Sequence, residues 1–234
     1  MKFGVVIFPG SNCDKDMLHV IKNVLKQEAI ELWHKDSDLT MFSKEDCIVL
    51  PGGFSFGDYL RTGAIARFSP IMEKVIEFAN QGGKVIGICN GFQILCEAGL
   101  LPGVLLRNKN QKFVCENKFL KADGVSLLTQ NIPSNKVLKI PVAHAEGRYF
   151  CDENTLQELK NNGQILFRYC SESGEIAEEY NFNGAVDNIA GVMNKNGNVF
   201  GMMPHPERCM ESELGNEDGY LIMSGLLKKA LQNG

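Results

Sequence analysis

Apolar residues in the first hundred positions follow two rhythms. Short unbroken runs, Phe3 to Phe8, Cys47 to Leu50 and Lys84 to Ile88, read as strands buried on both faces. Pro9-Gly10 cuts the first and Pro51-Gly52-Gly53 the second, while Glu31 to His34 is a shorter strand candidate. Between these runs the spacing turns helical, first through Met17, Leu18, Ile21, Val24 and Leu25, then through Ile71, Val75, Phe78 and Ala79. Ser69-Pro70 places an N-cap residue before a proline at the first helical position, and Gln81-Gly82-Gly83 ends that helix. Gly91 to Ala98 reads as a third helix, stopped by Gly99.

Buried strands alternating with amphipathic helices predict an α/β fold, a mostly parallel sheet with helices on both faces. In such sheets ligands bind beyond the carboxyl ends of the strands. Chemistry is therefore expected on three loops: Pro9 to Asp14, Pro51 to Leu60, and Cys89-Asn90-Gly91. The second half is richer in strand patterns: Lys112 to Glu116, Ala122 to Leu128, Val137 to His144, Ile165 to Cys170 and Ile189 to Met203. Asn196-Gly197 inside the last is a hairpin turn. A helix from about Asp218 to Leu231 closes the pattern. With no repeat and no linker-like stretch, the reading is one domain over residues 1–234, with an antiparallel extension.

Charge narrows the choice of partners. Lys and Arg total 24 against 28 Asp and Glu, a net charge of −4, which argues against nucleic acid or an anionic membrane. No run approaches the roughly 18 apolar residues of a membrane span, and the apolar start is too short for a signal-peptide core. The eight cysteines include no C-x-x-C pair, so the common zinc and thiol-redox spacings are missing. A reduced, cytoplasmic protein without a metal is expected.

Gly87-Ile88-Cys89-Asn90-Gly91 is the sharpest chemical signal. It leaves a buried strand and opens a helix, the setting of a nucleophile elbow. That turn tolerates only small residues two before and two after the nucleophile, and both are glycine here. The helix N-terminus would stabilise a thiolate at Cys89, and the Asn90 amide would face a developing oxyanion. Pro51-Gly52-Gly53 ends the neighbouring strand and can supply a second oxyanion donor. A nucleophilic cysteine needs a base, and the base an orienting group. His205-Pro206-Glu207 and His144-Ala145-Glu146 both have the His-x-Glu spacing, and spacing alone does not choose between them. No phosphate-binding glycine motif appears.

Together, Pro51-Gly52-Gly53, Gly87 to Gln93 and His205-Pro206-Glu207 resemble the class I, triad-type glutamine amidotransferases in order and spacing. That family has a flavodoxin-like fold. Phe8 to Asp14, Gly52 to Arg61, Ala143 to Arg148 and Gly201 to Arg208 extend the resemblance to one branch, with Phe56 standing where the pattern has Tyr. The resemblance implies Cys89 as nucleophile, His205 as base and Glu207 as its orienting partner. It also implies oxyanion donors at Gly52, Gly53 and Asn90, and Gln93 helping to hold the amino-acid end of glutamine. Ammonia would pass to a large synthetase subunit, which carries ATP and Mg, in a complex with a small accessory subunit. No cofactor is expected in this chain; His144 is not the base, and the resemblance gives the His144 to Arg148 segment a role near the site or in partner contact. The alternatives are service to a different synthetase, or a non-catalytic glutamine-binding module.

Overall fold

The computed structural model describes residues 1–227. The first half runs β1 (Lys2–Ile7), α1 (Asp14–His19, continued by a π-turn over Val20–Val24), β2 (Glu28–Trp33), β3 (Cys47–Leu50), α2 (Pro70–Asn80), β4 (Lys84–Ile88) and α3 (Asn90–Glu97). There follow β5 (Val104–Leu106), β6 (Val114–Ala122), β7 (Val137–His144), β8 (Arg148–Phe150), α4 (Glu153–Asn161) and β9 (Ile165–Cys170). A hairpin of β10 (Ile189–Met193) and β11 (Val199–Met202) precedes α5 (Asp218–Met223). Among the described residues, no helix is long and apolar enough to cross a membrane.

Nine strands form one sheet in the order β2-β1-β3-β4-β11-β10-β9-β6-β7. The first five are mutually parallel, and the last four pair antiparallel. Seven of the nine strands consequently point one way, all but β10 and β6. The crossovers β1-α1-β2 and β3-α2-β4 travel in opposite directions along the sheet, so right-handedness sets α1 and α2 on opposite faces. β3 and β4 are wholly buried, as unbroken apolar runs covered by helices should be. Together with β11 they bring the ends that matter to one edge of the sheet.

Several local readings are corrected by the structure. Ser69 does stand at the N-cap of α2, but its hydroxyl makes no capping bond and is buried without a partner. The fixed φ of Pro70 starts the helix instead. Lys112 to Glu116 and Ala122 to Leu128 are not two strands. One strand, β6, runs from Val114 to Ala122, carried through its polar middle by eight pairings with β7. Gly124, at φ +57°, turns the chain away, and Leu127 and Leu128 enter the core from a turn. β5, β8 and α4 were not expected. The last is capped by the Asp152 side chain accepting from the Thr155 amide at 2.8 Å. The closing helix α5 gives way to a 3-10 turn over Ser224–Leu227, and the remainder of that prediction lies outside the described residues.

Candidate active site

Cys89 stands between β4 and α3 at φ +49° and ψ −105°, a conformation non-glycine residues rarely adopt. The surrounding sheet enforces it: the Cys89 amide donates to the Met202 carbonyl at 2.8 Å. The glycine requirement is steric. A Cβ on Gly91 would overlap the Leu50 carbonyl oxygen, and one on Gly87 would lie 2.5 Å from the Gly91 carbonyl carbon. The Asn90 amide follows at the first position of α3, where a helix offers no acceptor of its own.

β11 is parallel to β4 with Met202 opposite Ile88, so the chain leaving β11 carries His205 beside the elbow. Proline on the edge strand β7 removes no ladder hydrogen bond there, and the Pro141 carbonyl accepts from the His205 amide at 2.8 Å. His205 Nδ1 donates to Glu207 Oε1 at 2.7 Å, with both residues buried. The other ring nitrogen, Nε2, is buried and has no partner among the described residues, as a base facing a nucleophile should be. Burial alone would lower the His205 pKa. The Glu207 carboxylate and the Cys89 sulfur outweigh it and hold the ring well above its ordinary value. The ring is thus biased towards the imidazolium beside the sulfur.

A cavity of about 60 Å³ opens onto Cys89. Gly53 and Gln93 line it, as do Asp58, His144 and Glu146. Of the two glycines expected to supply an oxyanion donor, Gly53 faces the cavity, at φ +139°. Gly52 packs elsewhere: a Cβ there would stand 2.7 Å from His205 Cε1 and 3.1 Å from the Cys13 sulfur. Gln93 is occupied at both ends. Its carbonyl oxygen accepts from Asn90 Nδ2 at 3.0 Å, and its Nε2 donates to the Glu146 carbonyl at 2.6 Å. Asn90 Oδ1 in turn accepts from the Ser55 amide at 3.1 Å. A chain of side chains therefore ties the Gly53 loop, the elbow helix and the Glu146 loop together, and Gln93 is a strut within it.

The first loop closes the other side. Cys13 is buried, its amide donates to the Gly52 carbonyl at 3.3 Å, and its sulfur accepts from Arg208 Nη2 at 3.1 Å. Among the described residues, Cys13, His205 and Glu207 are the one group of metal-ligand type whose ligand atoms converge, all within 4.8 Å. Two features count against an ion there. The Arg208 guanidinium already lies against the sulfur, and Glu207 already holds the imidazole.

Sequence reasoning brought Cys89, His205 and Glu207 to one place and set the His144 to Arg148 segment near the site or a partner contact, but it passed over Asp58; the structure puts His144 and Glu146 on the cavity. The signal was present in the glycine-rich stretch that carries Asp58 and in the second His-x-Glu pair. Only the direction of β7, which delivers His144 to the same edge as Cys89, converts spacing into proximity.

The CobB/CobQ-like glutamine amidotransferase domain family matches residues 1–217. The chain is 53% identical over 228 residues to the phosphoribosylformylglycinamidine synthase subunit PurQ of Moorella thermoacetica, covering 97% of this chain and 95% of that one. It is 54% identical to the PurQ subunit of Aquifex aeolicus over 97% of this chain and 99% of that one. In the solved structure of PurLQS from Thermotoga maritima, a chain 38% identical superposes with a TM-score of 0.83, over 97% of each chain. Half its residues shared over nearly its whole length, and the fold shared with a solved relative, this chain belongs to the PurQ family of glutamine amidotransferases.

Proposed function

We infer that this chain hydrolyses glutamine to glutamate and ammonia as the glutaminase subunit of phosphoribosylformylglycinamidine synthase. The observation that carries this reading is Cys89, strained on the elbow over a small cavity, with the buried His205–Glu207 pair delivered beside it by β11. The Cys89 sulfur attacks the side-chain amide carbon of glutamine. The Gly53 and Asn90 amides take up the oxyanion. The His205 imidazolium gives its proton to the departing ammonia, and the neutral ring then takes one from the water that hydrolyses the γ-glutamyl thioester. Glu207 fixes the ring through Nδ1 and stabilises its charged form.

Ammonia then goes to a large synthetase subunit, assembled with a small accessory subunit. That partner carries ATP and Mg and converts formylglycinamide ribonucleotide to formylglycinamidine ribonucleotide in purine synthesis. The names of the relatives and the PurLQS complex support this assignment. Eight free cysteines fit a reducing cytoplasm.

The loop bearing Gly53 is the part a partner would adjust. Phe56, Asp58 and Leu60 all have positive φ, between +52° and +70°, at a cost of roughly 1–3 kcal/mol each. Tyr59 and Leu60 on the same loop are 75% and 89% exposed, apolar surface beside the site that a docked subunit would cover. An oxyanion donor is worth about 10²–10³ in rate. Glutamate release should therefore rise by that factor when the synthetase partner, ATP and formylglycinamide ribonucleotide are added to the chain. Equal rates with and without the partner would mean a site already formed, and no release in either condition would overturn the glutaminase reading.

A further inference from the structure

The cavity beside Cys89 holds acceptors that have no donor. Among the described residues, Asp58 Oδ1 is buried without a hydrogen-bond partner. Burial, reinforced by the neighbouring Glu146 carboxylate, pushes the Asp58 pKa up to about 6, so the charge is held there at a cost. Glu146 accepts one bond from the Thr62 hydroxyl at 3.1 Å. His144, 3% exposed, adds a third acceptor. Its tautomer follows from its neighbours. Asn108 spends its Nδ2 on the Lys112 and His144 carbonyls, at 3.0 and 2.9 Å, so the Asn108 oxygen, 3.2 Å from His144 Nδ1, must accept from that nitrogen. The lone pair is therefore on Nε2, which is buried and unpartnered. Burial and the nearby His205 ring push the His144 pKa down to about 3, so it stays a neutral acceptor.

Two carboxylates and an imidazole lone pair, all lining one cavity, match a group with three N–H donors and a positive charge. Glutamine carries one such group, at the end opposite the amide that Cys89 attacks. We propose that Asp58, Glu146 and His144 Nε2 form the subsite for the α-ammonium of glutamine, and that they select an amino acid over a simple amide. This rests on the glutaminase reading above and adds the groups that recognise the substrate's far end. It also gives His144 and the 143–148 segment a part in the reaction other than that of base.

The arrangement works against stability. The folded-state pKa of Asp58 lies above its ordinary 3.8, so the folded chain binds more protons than the unfolded one between these values. Stability contributed at this position falls as pH rises from about 4 to about 6, and the deficit persists above.

The test compares glutamine with glutaramate, the same amide without the α-amino group, in the complex with the synthetase partner and its substrates. The wild-type complex should favour glutamine in kcat/KM by about 100-fold. Asp58→Asn should raise KM for glutamine about 10- to 100-fold, the weight of a charge-assisted hydrogen bond. The loss in kcat/KM should be at least about tenfold larger for glutamine than for glutaramate, and the variant should melt no lower than wild type at pH 7. Glu146→Gln, with Cys89 labelling as a check on site integrity, should show the same split. Equal kcat/KM for the two amides in the wild type, or parallel losses on both in the variants, would overturn the subsite while leaving the glutaminase reading intact. Hydrolysis of neither amide by the wild-type complex would overturn both.

Discussion

Replacing Cys89 with alanine should cut glutamine-dependent synthesis by the assembled complex by at least about 10⁴-fold, because a triad without its nucleophile retains only binding and oxyanion stabilisation. Synthesis from added ammonia should be unchanged, since the bond-forming step on the ribonucleotide belongs to the partner. Cys89 is also small and 5% exposed, so alanine fits its place. The strained φ of +49° remains whichever residue is there, and the fold should hold. The measurement is product formation with glutamine and with ammonium chloride, in parallel. Loss of both activities would point to a collapsed complex, and retention of glutamine use would remove Cys89 from the chemistry.

His205→Ala should lower kcat for glutamine by about 10²–10⁴, the usual weight of a proton-transfer group. Adding this change to Cys89→Ala should cost little more, because members of a triad fail as a unit. The opposing candidate, His144, is also buried, with its Nε2 unpartnered among the described residues, but its other ring nitrogen and its charge state differ. Its Nδ1 faces an uncharged Asn108 oxygen, whereas the same atom of His205 faces the Glu207 carboxylate at 2.7 Å. Burial leaves His144 neutral, and Glu207 keeps His205 able to carry a proton. His144→Ala should accordingly act on KM for glutamine and leave kcat within about tenfold. Steady-state kinetics on the two variants decides the matter, and a larger kcat loss at His144 would reverse the assignment.

The contrast explains how far the chain could be read. The strands that deliver the site, β1, β3 and β4, are unbroken apolar runs ended by Pro-Gly or glycine turns, and their bounds follow from that to within a residue or so. The elbow was equally legible, since Gly87 and Gly91 leave no room for a Cβ. The His-x-Glu pairs were not separable, because the sequence does not show which strand runs beside β4. That neighbour is β11, the second strand of the hairpin that β10 opens. β6 was missed as one strand because Asn117 and Lys118 hide its pattern, and its continuity depends on pairing with β7. α4 was missed because only Leu156 and Leu159 are buried on it, too few for a clear helical period, although Asp152 capped it in plain sight. Gly52 and Gly53 were indistinguishable as letters, and only the turn decides which one faces the cavity.

A glutamine-analogue electrophile, applied to the complex and followed by peptide mapping, tests the central assignment most directly. Cys13, Cys96 and Cys209 are all close to the catalytic elements in sequence or space, yet burial pushes the Cys96 thiol above its ordinary range and Cys209 up to about 12. Cys13 lies behind Gly52, away from the cavity lining. Cys89 alone should carry the label, and free glutamine should protect it. A label on any of the other three, or one that glutamine does not prevent, would contradict the elbow as the site of attack.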